Sequence, residues 1–356
     1  MNRDRRRLLR LVPSALFLGS ASSFLSALAA APRKQVKRPR VALLLPLSGA
    51  SAVVGLSMQR AAMLAQSPTA KADETMIFDT GGTAAGAVAA VQQALRQDAR
   101  AIIGPLFAEE SRAAAQAAGA VPVLSFSNDE DLIGSGAFLM GITAGQSVTA
   151  ILRYARGRGI RRVALYDGPS RWSAQGHAAA ERLRGAAGLE VISLPAGTTP
   201  ADLPAALRRA GGGELPDALL VTEGGDALRL VARAMAGSGL QLLGTQQSLD
   251  LPPQDVAGAW LSGPDPAGLS DFAGRYQSGR AGGPGLIAAL AYDAMMIIES
   301  LRAGGVVDRS ALVAAPSFNV VTGPIRFATD GSASRALAIL VAGPDGFTLA
   351  DKSASL

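Results

Sequence analysis

The 356-residue chain contains no cysteine and a single histidine, His177. The first absence excludes disulfides, thiolate chemistry and the modified cysteine of a lipoprotein. The second leaves no imidazole cluster for a transition metal, and a Ser-His-Asp arrangement would depend on one residue that reads as an ordinary position within a helix. Aromatic residues make up 4% of the chain, and Trp172 and Trp260 are its only tryptophans, so stacking platforms for sugar rings are scarce. Basic surface is also missing once the charge is divided. Five arginines and Asp4 precede Ala30, and Arg33, Lys34, Lys37, Arg38 and Arg40 follow, so the formal +6 becomes −3 from Val41 onward. That balance argues against a nucleic-acid partner.

What is present begins with an export signal. Arg3, Arg5, Arg6, Arg7 and Arg10 precede a mostly apolar or small stretch, Leu11 to Leu28, and Ala27-Leu28-Ala29 offers a small-x-small cleavage site. Residues 1–29 therefore read as a secretory signal peptide. Asp4 to Arg10 also resembles the twin-arginine pattern, which leaves two export routes open. Leu11 to Ala31 is just long enough to span a bilayer, so an uncleaved anchor is the alternative. The mature chain is expected to be periplasmic, not a lipoprotein, and without stable membrane insertion after cleavage. Residues 30–39 read as a solvated basic linker.

The remaining length exceeds what one core usually holds, which predicts two lobes. Apolar runs of strand length alternate with Ala-rich segments of helical period. Val41 to Leu45, Met76 to Asp79, Ala101 to Gly104 and Val121 to Phe126 read as strands; helices are expected near 54–66, 84–97 and 109–118. The pattern restarts after Thr143, with strands at Arg162 to Asp167, Leu189 to Leu194, Asp217 to Thr222 and Gln241 to Gly244. A long apolar helix follows near Leu286 to Ala303, then strands at Gly323 to Phe327 and Ala336 to Ala342. Continuous apolar strands separated by helices predict an α/β fold of parallel sheets covered on both faces. Ligands in such folds sit outside the carboxyl ends of the strands. There the chain offers Pro46-Leu47-Ser48-Gly49, where Ser48 and Gly49 supply a hydroxyl and backbone donors, and Thr80-Gly81-Gly82, Gly104-Pro105 and Ser127-Asn128-Asp129.

Motifs for catalysis are weak. Gly81-Gly82-Thr83-Ala84-Ala85-Gly86 opens a helix after a strand, but it lacks the Lys-Ser/Thr ending of a phosphate loop and does not match G-x-G-x-x-G. Glu109 and Glu110 are adjacent on a helix and point apart, which makes them poor acid/base partners. No catalytic residue, no metal site and no cofactor is expected.

Val41 to Gly49, Ile102-Ile103-Gly104-Pro105, Val121 to Ser125, Ala291-Tyr292-Asp293-Ala294 and Gly323 to Phe327 followed by Asp330-Gly331 resemble the type 1 periplasmic binding proteins, in their leucine-binding-protein branch. The resemblance spans Arg40 to Asp351. It implies two Rossmann-like lobes joined by three crossovers, with 40–143 plus 265–330 in lobe 1 and 144–264 plus 331–356 in lobe 2. The lobes close on a ligand by hinge bending. It further implies non-catalytic capture of a small polar solute, an amino acid or related compound, for an ABC permease. The family's hydroxyl-bearing loop after the third strand corresponds to Phe107 and Ala108 here. Ser127 and Asn128 keep polar groups after the fourth strand. Trp172 matches an aromatic position that often lines the cleft. The acid that holds the ammonium in amino-acid binders falls at Gln246, which is neutral, and Glu223 is the substitute acid. Gly104-Pro105-Leu106 with Val123 to Asn128 is also similar to the leucine-binding-like domain of penicillin-binding protein activators, for which the partner is a peptidoglycan synthase.

Overall fold

β1 (Arg40–Leu45) has Val41 to Leu45 at zero exposure, because alternate residues face opposite sides of a sheet and both sides are covered. Val41, Leu43 and Leu45 join Met58, Ala61 and Ala62 of α1 (Ala52–Ala65) in one cluster. Ala42 and Leu44 join Ala87, Ala90 and Val91 of α2 (Ala84–Arg96) in another. Each fully buried leucine contributes about 2 kcal/mol. A Cβ on Gly55 would lie 2.1 Å from the Pro46 carbonyl oxygen, so the missing side chain lets α1 pack directly against the turn that ends β1.

These relations come from a computed structural model that describes residues 38–185, 188–277 and 284–352. The signal peptide and most of the basic linker lie outside the described residues. Chain order continues with β2 (Thr75–Asp79), β3 (Ala99–Ile103), α3 (Ala108–Ala118), β4 (Val123–Ser125) and β5 (Ala137–Leu139). They form a parallel sheet in the order β2-β1-β3-β4-β5.

The second sheet is built from β6 (Arg162–Tyr166), β7 (Glu190–Ser193), β8 (Ala218–Val221), β9 (Gln241–Gly244), β10 (Trp260–Gly263), β13 (Ala338–Gly343) and β14 (Gly346–Lys352). Its order is β14-β13-β10-β9-β8-β6-β7. The segment from β7 to β10 is parallel, and β13 and β14 add antiparallel strands at one edge. Helices α4 (Ala144–Gly157), α5 (Arg171–Leu183), α6 (Leu203–Ala210) and α7 (Ala227–Ala234) surround it. β5, β10 and β14 were not expected from pattern. β5 and β10 are short, and β14 is an edge strand of half-buried and exposed residues with none fully buried.

After β10 the chain returns to the first sheet. α8 (Pro266–Gln277), α9 (Leu286–Ala303) and α10 (Arg309–Ala314) lead to the hairpin of β11 (Ile325–Phe327) and β12 (Ala333–Arg335). Ala291, Ala294, Met295 and Ile298 of α9 share the core of α1 and β1. Phe327 packs edge-on against Phe138 of β5, with ring centroids 5.6 Å apart. The chain thus passes between the sheets three times, from β5 to α4, from β10 to α8 and from β12 to β13. This is the two-lobed Rossmann-like architecture with three crossovers.

Candidate functional site

The edge of lobe 1 is organised by a residue that pattern did not single out. Asp79, the last residue of β2, accepts hydrogen bonds through Oδ1 from the backbone N–H groups of Leu47 at 2.8 Å, Ser48 at 3.3 Å and Gly81 at 2.8 Å. One exposed carboxylate therefore ties the loop after β1 to the loop after β2. A hydrogen bond from the Ser48 side chain, reinforced by the N–H of Gly81, holds its pKa below the ordinary aspartate value. Gly49 follows at φ 75° and opens a short 3-10 turn into α1. Phe107, 40% exposed, lies beside Gly82, whose Cβ position would be 3.6 Å from the ring. Ser48, Gly49, Asp79, Gly82 and Phe107 thus make one continuous patch, and Ala108 begins α3 next to it.

Beneath this patch the two adjacent glutamates diverge. Glu109 is exposed, whereas Glu110 is 1% exposed and reaches back so that Oε2 accepts the Phe107 N–H at 3.0 Å. Burial pushes the Glu110 carboxyl up against the opposing hydrogen bonds of Thr80 and the Phe107 backbone. Ser111 is buried and accepts a hydrogen bond from Ser125 at 2.6 Å, so it joins the support of the loop.

The loop after β4 differs residue by residue. Ser127 is 7% exposed, and its Oγ accepts the Asp129 N–H at 3.2 Å. Asn128 is exposed. Ser127 therefore shapes the loop, and Asn128 is its solvent-facing polar group.

In lobe 2, Glu223 follows β8, and its Oε2 accepts the Ser170 hydroxyl at 2.7 Å and the Ser170 N–H at 3.2 Å. Gly168 makes room for it, since a Cβ there would fall 2.1 Å from that oxygen. Glu223 was expected as an acid for a ligand ammonium; the structure uses it to anchor the loop that leads into α5. Trp172 was expected on the cleft wall, but it is 9% exposed and its indole N–H has no partner among the described residues. The second position of α5 turns inward, while Arg171 before it stays exposed. His177 also departs from an ordinary surface position. Its Nδ1 is 2.8 Å from Asp167, and its Nε2 is 3.2 Å from the Tyr166 carbonyl oxygen.

The two walls touch through charged groups. Arg171 of lobe 2 contacts Asp129 at 3.1 Å and also pairs with Asp131, both in lobe 1. The Gln175 amide donates to Asp129 at 2.7 Å. Desolvation would raise the Asp129 carboxyl, but the Asp131 N–H, Gln175 and Arg171 outweigh it and hold the value below the ordinary one. At the hinge end, Glu130 accepts the Gly145 N–H at 2.6 Å and lies 3.7 Å from Arg182.

Gln246 is engaged at the crossover. Ser147 of α4 donates to its amide oxygen, and its amide nitrogen lies 3.4 Å from the Ile142 carbonyl oxygen. Placed at the family's acid position, where its neutrality told against an amino-acid ligand, Gln246 ties lobe 2 to the first crossover. Nearby, Asp293 of α9 accepts the N–H groups of Val321 at 2.8 Å and Thr322 at 2.9 Å, and the Thr322 hydroxyl at 2.6 Å. Arg335 donates to that hydroxyl and, at 2.6 Å, to the Met140 carbonyl oxygen. Burial lowers the Arg335 pKa to about 10, opposed by the charge of Asp293. The motifs around Asp293 and Gly323 are thus joined in space through Thr322.

Of the nine residues expected at the site, the structure gathers Ser48, Gly49, Phe107 and Ala108 on one wall and leaves Asn128 exposed beyond β4. It engages or buries Ser127, Trp172, Glu223 and Gln246. Sequence reasoning missed Asp79, Asp129, Asp131, Arg171 and Gln175. A carboxylate at a strand end before Thr-Gly-Gly is a readable turn signal for Asp79; nothing local links Asp129 to Arg171. Among the described residues no group of His, Asp and Glu is placed to hold a metal ion, and no helix is long and apolar enough to cross a membrane.

With this geometry in place, comparison gives the class. The family model described as periplasmic binding protein matches residues 39–346, and the chain belongs to that family. A structure assigned to branched-chain amino acid ABC transport from Rhodospirillum rubrum is 20% identical with a TM-score of 0.77, covering 88% of this chain and 99% of that one. An ABC transporter solute-binding protein from Rhodopseudomonas palustris BisB5, in complex with 3,4-dihydroxybenzoic acid, is 20% identical with a TM-score of 0.62, over 88% and 96% of the two chains. The C-domain of LpoA from Haemophilus influenzae, a regulator of PBP1A, is 16% identical with a TM-score of 0.67, over 88% and 100%. No curated protein sequence matches significantly. These neighbours share the fold and are solute-binding or regulatory proteins.

Proposed function

We propose that the chain is a non-catalytic periplasmic binding protein that captures a small polar solute between its lobes for ABC-type uptake. The observation that carries this reading is the meeting of the walls, where Asp129 beyond β4 contacts Arg171 and Gln175 at the start of α5. A solute placed between such walls gains contacts on both sides only when they approach, which couples binding to closure. Ser48, Gly49, Phe107, Ala108 and Asn128 form the proposed lobe 1 contacts, and Arg171 is the proposed lobe 2 cation for a carboxylate. Export through residues 1–29 and the lobe division at residues 143, 264 and 330 belong to the same reading. Thermal melting with pooled amino acids, small amides, aromatic acids and peptidoglycan fragments tests it. Ligand at a hundredfold excess over its dissociation constant stabilises by about 2.7 kcal/mol, so a matching pool raises the Tm and Arg171→Ala weakens the response. A flat response to every pool overturns solute capture.

A second reading, regulation of a peptidoglycan synthase, is favoured by a different observation. Glu223, the candidate acid for an ammonium, and Gln246, the neutral residue at the family's acid position, are both engaged by protein partners. The LpoA C-domain likeness supports the same reading. Binding of purified mature protein to a purified bifunctional peptidoglycan synthase tests it, and absence of binding overturns it.

A further inference from the structure

Among the described residues every aromatic side chain is buried or half-buried except Phe107, which is 40% exposed. Single exposed apolar side chains are common on protein surfaces, so the exposure gains meaning only from its position. Phe107 is the N-cap of α3, a place where Ser, Thr, Asp or Asn stabilises a helix by accepting a backbone N–H. α2, α4 and α5 follow that rule through Thr83, Thr143 and Ser170. The Phe107 ring has no acceptor and caps nothing. Glu110 supplies only the reciprocal half of a capping box, accepting the Phe107 N–H at 3.0 Å and fixing the backbone that carries the ring. A hydroxyl would serve the helix better, so local structure does not account for the ring.

The surface beside the ring is bare. Gly81 and Gly82 follow β2 at φ 57° and 70°, a left-handed pair that glycine adopts without strain. A Cβ on Gly81 would lie 3.8 Å from the Ser48 hydroxyl oxygen, and one on Gly82 would lie 3.6 Å from the Phe107 ring and 3.9 Å from the Pro46 Cβ. The two glycines thus keep side chains out of the space between the Ser48 hydroxyl and the ring. Asp79 holds this shelf in place through the N–H groups of Ser48 and Gly81. The Gly81-Gly82-Thr83 sequence, which fits no phosphate loop, makes a shelf that is polar at one end and aromatic at the other.

We propose that the solute captured in the cleft is a small aromatic compound whose ring stacks on Phe107 and whose polar end meets Ser48. This assignment rests on solute capture between the lobes and adds the class of solute to it. Paired rings gain affinity beyond their buried area, roughly two- to tenfold for one pair. Phe107 is therefore the residue that separates aromatic solutes from aliphatic ones of similar size.

Isothermal titration of the purified mature protein with three matched pairs tests the assignment: phenylalanine with leucine, benzoate with cyclohexanecarboxylate, and benzamide with cyclohexanecarboxamide. Within each pair the polar end is the same and the apolar body differs. In at least one pair the aromatic member is expected to bind saturably and at least threefold more tightly than its aliphatic partner. Phe107→Leu, which keeps apolar bulk, should remove that preference while leaving the aliphatic member within twofold, and Phe107→Tyr should keep it. A preference below threefold in every pair, no binding by any of the six compounds, or a preference that survives in Phe107→Leu would each overturn the proposal. Equal loss of both members in Phe107→Leu would make the ring a support of the loop and overturn it as well. In any of these cases a Tm raised by other pooled solutes leaves solute capture standing, whereas a flat response to every pool ends both readings. Circular dichroism melting of Phe107→Leu verifies its fold; if it does not fold, Phe107→Met takes its place.

Discussion

Among the polar contacts that join the lobes, two sets differ in burial, and burial separates their roles. At the hinge, Asp293, Thr322 and Arg335 are each at most 6% exposed and linked by hydrogen bonds to one another and to backbone groups on both sides of the crossovers. At the cleft, the Arg171 side chain is 60% exposed, and its partners Asp129 and Asp131 are 16% and 56% exposed. Breaking the buried set leaves charges and amides without water, so that set is effectively permanent. Breaking the exposed set exchanges protein partners for water at small cost. The same kinds of residue therefore make a buried, lasting contact at one end and an exposed, easily broken contact at the other.

The largest expected effect tests the buried set. Asp293→Ala removes the acceptor of two N–H groups and of Thr322, and should destabilise by about 3–5 kcal/mol, measured by urea unfolding. Asp293→Asn, which keeps one acceptor oxygen, should lose less. A loss in Asp293→Ala no larger than that of a surface substitution would end the distinction between the two ends.

Arg171→Ala should cost less than about 1 kcal/mol but should increase the radius of gyration measured by small-angle X-ray scattering. Wild-type protein should show the same expansion in about 1 M salt, where the screening length is near 3 Å. An unchanged radius in both experiments would mean that Arg171 does not hold the walls together.

The smallest effects are in pH. The Asp129 carboxyl sits below its ordinary value of 3.8 in the folded state, so its contribution is complete above that value and is lost as the pH falls through the folded value. The stability difference between wild type and Asp129→Asn should stay constant from pH 5 to 8 and shrink only below about pH 4. Glu110 has the opposite sign. Its folded value lies above its ordinary 4.5, so the wild type loses stability as the pH rises through that interval. Glu110→Gln should therefore gain Tm relative to wild type at pH 7 and lose that gain by pH 4. A gain independent of pH would assign the effect to packing.

Much of the fold was legible in the residues. β1 reads as a strand buried on both faces because its apolar run is continuous, and α9 was expected over the residues it occupies, 286–303. β5 escaped because three residues carry too little pattern, and β14 because an edge strand needs no continuous apolar run. At the candidate site, Ser48 and Asn128 could be placed on strand-end turns because such turns are local features, whereas Phe107 was named only through the resemblance. Glu223 and Gln246 were placed at strand ends, but the protein groups that engage them were not legible in the sequence. Their partners, Ser170 and Ser147, lie 53 and 99 residues away.

The apolar runs alone determined that β1 lies between two layers of helices, since a strand without a polar face has no solvent side, and the absent cysteine and histidine clusters limited the chemistry without any coordinates. Only the tertiary structure decided which polar groups meet. A carboxylate and an arginine pair when the folding of two separate sheets brings them within about 4 Å. Asp129 and Arg171, 42 positions apart, meet for that reason and no nearer one.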